Sequence, residues 1–311
     1  MRRTQSPIRL CLLALASSLA LAVSDGATDT RRQAVEATLA SAAACKGLGD
    51  YYWEIGNAGG VLASGQSGRM ISARRPIRVA SASKWLFGAY VAEKTQGQLT
   101  AAQLDALEMK SGYDGLNPFG CAGASTIDAC LDRGGNGRRN EAHVGKFSYN
   151  GGHDQQLAHD LGLGGMDKAA LSRDLQETLG LDVDYVAPQP AGGMRTTPAV
   201  YGAFLRKILN GQLQMAKLLG SHAVCTLPSQ CADAAESPSP YAWHYSINHW
   251  IEDAPGEDGA FSSPGMFGFY PWITADRSSY GVLARVSLEP GAYLRSARCG
   301  IAMRHAWAAG R

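Results

Sequence analysis

Val79-Ala80-Ser81-Ala82-Ser83-Lys84-Trp85 is the stretch on which the reading of this chain turns. The apolar run Trp85–Lys94, ended by Gly97, reads as a helix. Ser81 is expected to open it, with Lys84 about one turn on along the same face. A serine hydroxyl is a weak nucleophile until a neighbouring base takes its proton. Lysine can do this where apolar surroundings keep it neutral, and Ala80, Trp85 and Leu86 supply such surroundings. A helix start adds N–H groups and partial positive charge where an oxyanion would develop. The S-x-x-K pattern arises by chance about once in a chain this long, so its weight comes from its surroundings. Of the eight lysines, Lys84 alone has a serine three residues before it.

Upstream, Tyr51–Asn57 and Val61–Ser64 flank Ala58-Gly59-Gly60 and read as a β-hairpin, preceded by an amphipathic helix over Arg31–Ala44. Downstream, residues 98–240 read as helical segments between glycine-rich loops, among them Asp154–Leu163 and Lys168–Leu179. Thr197-Pro198 is an N-cap and first-turn pair for a third helix, running to Asn210-Gly211. After Tyr241 the chain turns aromatic and β-rich, with strands expected at Met266–Thr274 and Tyr280–Ser287, then a last helix Tyr293–Ala309. Strands at both ends with helices between imply a discontinuous α/β domain, residues 31–84 and 241–311, holding a helical domain over 85–240.

Ser81-Ala82-Ser83-Lys84, following a β-hairpin, resembles the S-x-x-K motif of serine β-lactamases, penicillin-binding proteins and related esterases and amidases. The second motif of that superfamily, Y-x-N or S-x-N, is met at Phe147-Ser148-Tyr149-Asn150-Gly151-Gly152 in two registers. If Tyr149 is the family tyrosine, Gly151 replaces the usual asparagine; if Ser148 starts the motif, Ser148-Tyr149-Asn150 matches S-x-N. The spacing to Leu157 favours Tyr149, which would shuttle a proton beside Lys84. Ala191-Gly192-Gly193-Met194-Arg195-Thr196-Thr197 resembles the segment that precedes a helix in this superfamily. The third motif, K-T-G or H-x-G, is matched by Ser263-Pro264-Gly265, with Ser263 where the lysine belongs.

The resemblance, over roughly residues 50–305, implies a β-lactamase/transpeptidase-like α/β (α+β) fold: an antiparallel sheet flanked by terminal helices, plus an inserted helical domain. It implies acyl transfer through Ser81, protons handled by Lys84 and Tyr149, and an oxyanion held by the backbone N–H groups of Ser81 and Met266. Asn150, Gly151, Ser263 and Gly265 would meet the substrate. No metal or organic cofactor is implied. The partner is a small ester, amide or oligomer; a β-lactamase or D-alanyl-D-alanine carboxypeptidase is the alternative, and a non-catalytic binding protein on this fold is a third. Phe261, Met266, Phe267, Phe269 and Tyr270, alternating along a strand, would line the site and favour apolar acyl groups over penicillins. Arg195 and Arg285 are the cations that could replace the missing lysine.

Arg2, Arg3 and Arg9 precede the apolar run Leu10–Val23, which ends in Ala20-Leu21-Ala22. At about 14 residues that run suits a signal-peptide core better than a membrane span. Residues 1–22 are therefore expected to be a cleaved leader and the protein periplasmic or secreted, with no membrane anchor. The six remaining cysteines suit an oxidising compartment, and spacing pairs Cys121 with Cys130 and Cys225 with Cys231, leaving Cys45 with Cys299.

The 311 residues carry 29 basic and 27 acidic side chains, too balanced for a nucleic-acid binder. At 45% hydrophobic and 18% charged the chain is not disordered. His153 and His159 stand beside Asp154 and Asp160, but six residues on a helix turn the rings to different faces, so packing or surface roles are expected. His244 and His249, among Trp243, Tyr245 and Trp250, read as structural or substrate-wall residues, and Asp132-Arg133-Gly134-Gly135-Asn136-Gly137 as a surface loop. No G-x-S-x-G elbow, H-E-x-x-H or P-loop occurs.

Overall fold

Strand Tyr51–Asn57 shows how the fold is layered. Tyr52 enters one apolar core, Trp53 and Ile55 the other, because successive side chains of a strand face opposite ways. Val282 and Ala284 likewise face the first core and Leu283 the second. Both faces of the sheet are thus covered. A computed structural model describes residues 14–310. Within the expected leader, residues 1–13 lie outside the described residues.

Eight strands form one antiparallel sheet, in spatial order Gly60–Ser67, Tyr51–Asn57, Tyr280–Arg285, Tyr270–Ile273, Ala260–Ser262, His249–Glu252, His244–Ser246 and Val224–Cys225. The terminal helices Ala14–Ser41 and Ala292–Ala309 pack on each other and cover one face. Val35, Trp53, Trp272, Leu283, Met303 and Trp307 share that core. The other face carries helices Ser83–Lys94, Lys168–Leu179 and Pro198–Leu209, with Trp85, Leu86, Leu175 and Phe204 at its centre. Thr197 caps the last of these, its hydroxyl accepting from Val200 N at 3.1 Å, with Pro198 in the first turn.

Three sequence expectations are adjusted. The strand expected at Met266–Thr274 starts only at Tyr270, because Met266, Phe267 and Gly268 form a turn in which Gly268 N–H donates to Gly265 O. Gly268 takes φ +94, which L side chains rarely adopt. The helix expected over Asp154–Leu163 runs regularly from Gly152 to Ala158 and then widens over His159–Leu163, with Gly162 at φ +80 interrupting it. The sheet also reaches back to Val224–Cys225, ahead of residue 241.

Cysteines Cys45–Cys299, Cys121–Cys130 and Cys225–Cys231 are disulfide-bonded. The first joins the turn after the N-terminal helix to the C-terminal helix. Among the described residues no helix is long and apolar enough to cross a membrane.

Candidate active site

The turn that carries Ser81 is built by long-range contacts. Ile77–Arg78 pairs antiparallel with Met194–Thr196, and Val79 N–H donates to Met194 O at 3.2 Å, so the Ala191–Thr197 segment props this turn. Ala80 then takes φ +47, an uncommon conformation for a residue with a Cβ. Ala80–Ala82 form a 3₁₀ turn, and the α-helix opens at Ser83. Ser81 therefore stands just ahead of the helix and not as its first residue, because the backward step at Ala80 delays regular φ/ψ.

Ser83 fixes the turn, donating to Ala80 O at 2.6 Å and accepting from Met194 N at 3.3 Å. Tyr201 OH donates to Ala82 O at 2.8 Å, and Ser263 OH to Ser81 O at 3.3 Å.

Lys84 is 3% exposed. Its Nζ lies 3.4 Å from Ser81 Oγ, 3.3 Å from Ala191 O and 4.8 Å from the centroid of the Tyr149 ring. Among the described residues no carboxylate oxygen comes within 4 Å of it. Burying an amine with no ion-pair partner is costly.

Tyr149 follows the short strand Phe147–Ser148 and packs against Trp250 and Tyr245, with ring centroids 5.4 and 5.8 Å away. The Ser148 hydroxyl donates to Asp114 Oδ2 at 2.6 Å, and Asp114 also holds His143. His153, fully buried, donates from Nε2 to Ser148 O at 2.8 Å and accepts from the Ser111 hydroxyl at 2.7 Å. These contacts fix the backbone on which Tyr149 stands and occupy the Ser148 side chain elsewhere, which favours the tyrosine register. The Asn150 amide is taken up by backbone: Oδ1 accepts from Leu116 N at 3.1 Å and Gly152 N at 2.8 Å, and Nδ2 donates to Leu116 O at 3.3 Å. His159, by contrast, sits exposed against Asp128.

Ser81, Tyr149, Pro238 and Met266 line two adjoining cavities. One, about 120 Å³, is walled mainly by Trp243, Trp250, Pro264, Tyr293 and Leu294. The other, about 280 Å³, contains Lys84, Arg78, Asn150, Gly151, Gln189 and Phe119. The result is a cleft with an aromatic side and a more polar side, and Ser81 at the junction.

The third-motif segment approaches from behind. Ser263 is 3% exposed and bonds the Ser81 carbonyl, and a Cβ on Gly265 would stand 2.0 Å from Val79 O. Neither lines the cleft; both brace the Ser81 turn, unlike the expected substrate contacts. Of the five apolar residues expected to alternate toward the site, Phe261, Phe269 and Tyr270 enter the cores, and only Met266 and Phe267 reach the cleft. The physical reason is the turn at Met266–Gly268, which breaks the alternation.

Neither expected arginine substitutes for the motif lysine. Arg285 is buried and donates to Ser296 Oγ, Leu48 O and Ala292 O, and Arg195 pairs with Asp184 at 2.6 Å. Nothing in the local sequence of Arg78 signals its place; it reaches the cleft by strand pairing with Arg195.

No family model matches the sequence, and no curated protein matches it. Solved structures do. The hydrolase EstCE1, described as having promiscuous acyltransferase activity, superposes with TM-score 0.65 at 12% identity over 91% of this chain and 99% of its own. The D-amino acid amidase of Ochrobactrum anthropi SV3 gives TM-score 0.66 at 12% identity over 89% and 98%. A β-lactamase from Mycobacterium bovis gives 0.54 at 14% identity over 83% and 95%. The chain has the β-lactamase/transpeptidase-like fold.

Proposed function

We propose that this chain is an exported serine hydrolase that cleaves small esters, amides or oligomers through an acyl-enzyme on Ser81. The observation that carries the reading is the buried Lys84 amine, 3.4 Å from Ser81 Oγ at the floor of a cleft. Lys84 takes the serine proton as Ser81 attacks the carbonyl carbon, and Tyr149 stands beside both to pass a proton to the leaving group. The N–H groups of Ser81 and Met266 hold the oxyanion, since both residues border the two cavities at their junction. Water then attacks the ester carbon and restores Ser81. An unpaired buried lysine is hard to account for in a binding protein. Export is supported by the arginine-led apolar N-terminus and three disulfides.

The aromatic cavity suits a small apolar or aromatic acyl group, and the amidase and EstCE1 neighbours point to amides and esters rather than to one substrate. A β-lactamase or D-alanyl peptidase must grip a carboxylate. Ser263 replaces the lysine that would do so, and the cation left in the cleft beside Lys84 is the exposed Arg78. Losing a charge-assisted hydrogen bond costs about 1.5–3 kcal/mol, roughly 10–150-fold. The test compares kcat/KM for p-nitrophenyl esters and a chromogenic cephalosporin on one preparation. The ester is expected to lead by about tenfold or more; a cephalosporin lead of that size would make the chain a β-lactamase instead.

A further inference from the structure

Asp154 has no part in the steps above, yet it is completely buried close to them. Lys84 and Gly88 lie one turn apart on the same face of the nucleophile helix. A Cβ on Gly88 would meet Asn248 Cβ at 2.8 Å, so Asn248 packs against that face one turn beyond Lys84. Asn248 is fixed in the tight turn between strands His244–Ser246 and His249–Glu252, at φ +55, which asparagine tolerates better than most residues. Its Nδ2 donates to Asp154 Oδ1 at 2.7 Å. Asp154 Oδ2 and Asn248 Oδ1 are buried without a hydrogen-bond partner among the described residues. A carboxyl group is therefore tied through Asn248 to the helix face that carries Lys84, buried and outside ion-pair contact with its amine, where low polarity lets a charge act over distance.

We propose that Asp154 is a positioning residue that sets the charge state of the Lys84 amine. As a carboxylate it favours the ammonium by Coulomb attraction; removing its charge takes that attraction away and eases release of the proton that leaves the amine free to accept from Ser81. This rests on Lys84 being the base. Burial pushes the Asp154 carboxyl up to about 7, against the opposing pull of Lys84 and the Asn248 amide. Its charge therefore changes in the neutral range. The other titratable groups facing it do not mask this. Tyr185 and Tyr245 are buried phenols held neutral far above the usual range. His153, next to it on its own helix, is held neutral by burial down to about 4.

The experiment is the pH profile of kcat/KM on a p-nitrophenyl ester for wild type, Asp154→Asn and Asn248→Ala. Asp154→Asn keeps the shape and removes the charge, so the acid limb moves to lower pH by about one unit or more. Asn248→Ala removes the hydrogen bond that favours the carboxylate and moves the limb the same way by less. Limbs that coincide with wild type in both folded variants overturn the proposal, as does failure of both to fold, which would mark the pair as structural. Ser81→Ala runs in parallel. If it is inert while the limbs stay put, only the role of Asp154 fails; if it turns over normally, the nucleophile assignment itself has failed.

Discussion

Gly265 shows how one missing side chain lets two turns of the candidate site pack in register. Its Cα faces the Val79 carbonyl so closely that a methyl group would stand 2.0 Å from that oxygen. Gly265→Ala must push the Met266 turn away from the Ser81 turn and widen the gap between the two amides assigned to the oxyanion. Removing an oxyanion donor elsewhere costs about 10²–10³-fold in kcat, and a loss of about 10²-fold is expected here, with the fold retained by circular dichroism. Unchanged kcat would show that the two turns are not coupled. Ser81, Lys84 and Tyr149 were legible as candidates that the fold brings to one cleft, because their chemistry and spacing are local features of the sequence. Arg78, Tyr293 and Leu294 were not. They meet the site only through the pairing of distant segments, and no short-range pattern encodes that.

Elements were legible where punctuation and periodicity agreed. The Tyr51–Asn57 hairpin strand, the Thr197-Pro198 helix start and the C-terminal helix all follow from such signals. Cysteine spacing also sufficed, because two short loops leave one remaining pair to join the chain ends. Met266–Gly268 departs from the local pattern, because an apolar run with β-forming residues becomes a turn there. The glycine at φ +94 and the close approach of Arg285 and Ser296 to it belong to tertiary packing. Ala80 departs likewise, its left-handed backbone imposed by the pairing of its neighbours rather than by an alanine preference.

Across the whole molecule, the helical layer against the Ser81 side of the sheet is held partly by a histidine that must stay neutral. His249 donates from Nδ1 to Ile247 O at 2.7 Å, accepts at Nε2 from Gly220 N at 2.9 Å, and stacks on Trp85 at 5.4 Å. A proton on Nε2 would face an N–H group. Burial accordingly pulls both His249 and His153 down to about 4, below their usual 6.5. A lowered folded-state value means stability fully present above pH 6.5 and lost as pH falls toward 4. Each contributes on the order of 3 kcal/mol. Asp154, raised to about 7, works the other way and offsets part of the loss, because its protonated form is the favoured buried form. Melting temperature is expected to fall between pH 6.5 and 4, and His249→Gln, which cannot gain the charge, to make the decline shallower. An equally steep decline in that variant would remove His249 from the account. The proposed covalent step on Ser81 is tested by intact-mass measurement during p-nitrophenyl ester turnover or after fluorophosphonate labelling, followed by peptide mapping. One adduct is expected, on the peptide containing Ser81, absent in a folded and inactive Ser81→Ala variant; an adduct on another residue, or wild-type turnover by that variant, would refute acyl transfer through Ser81.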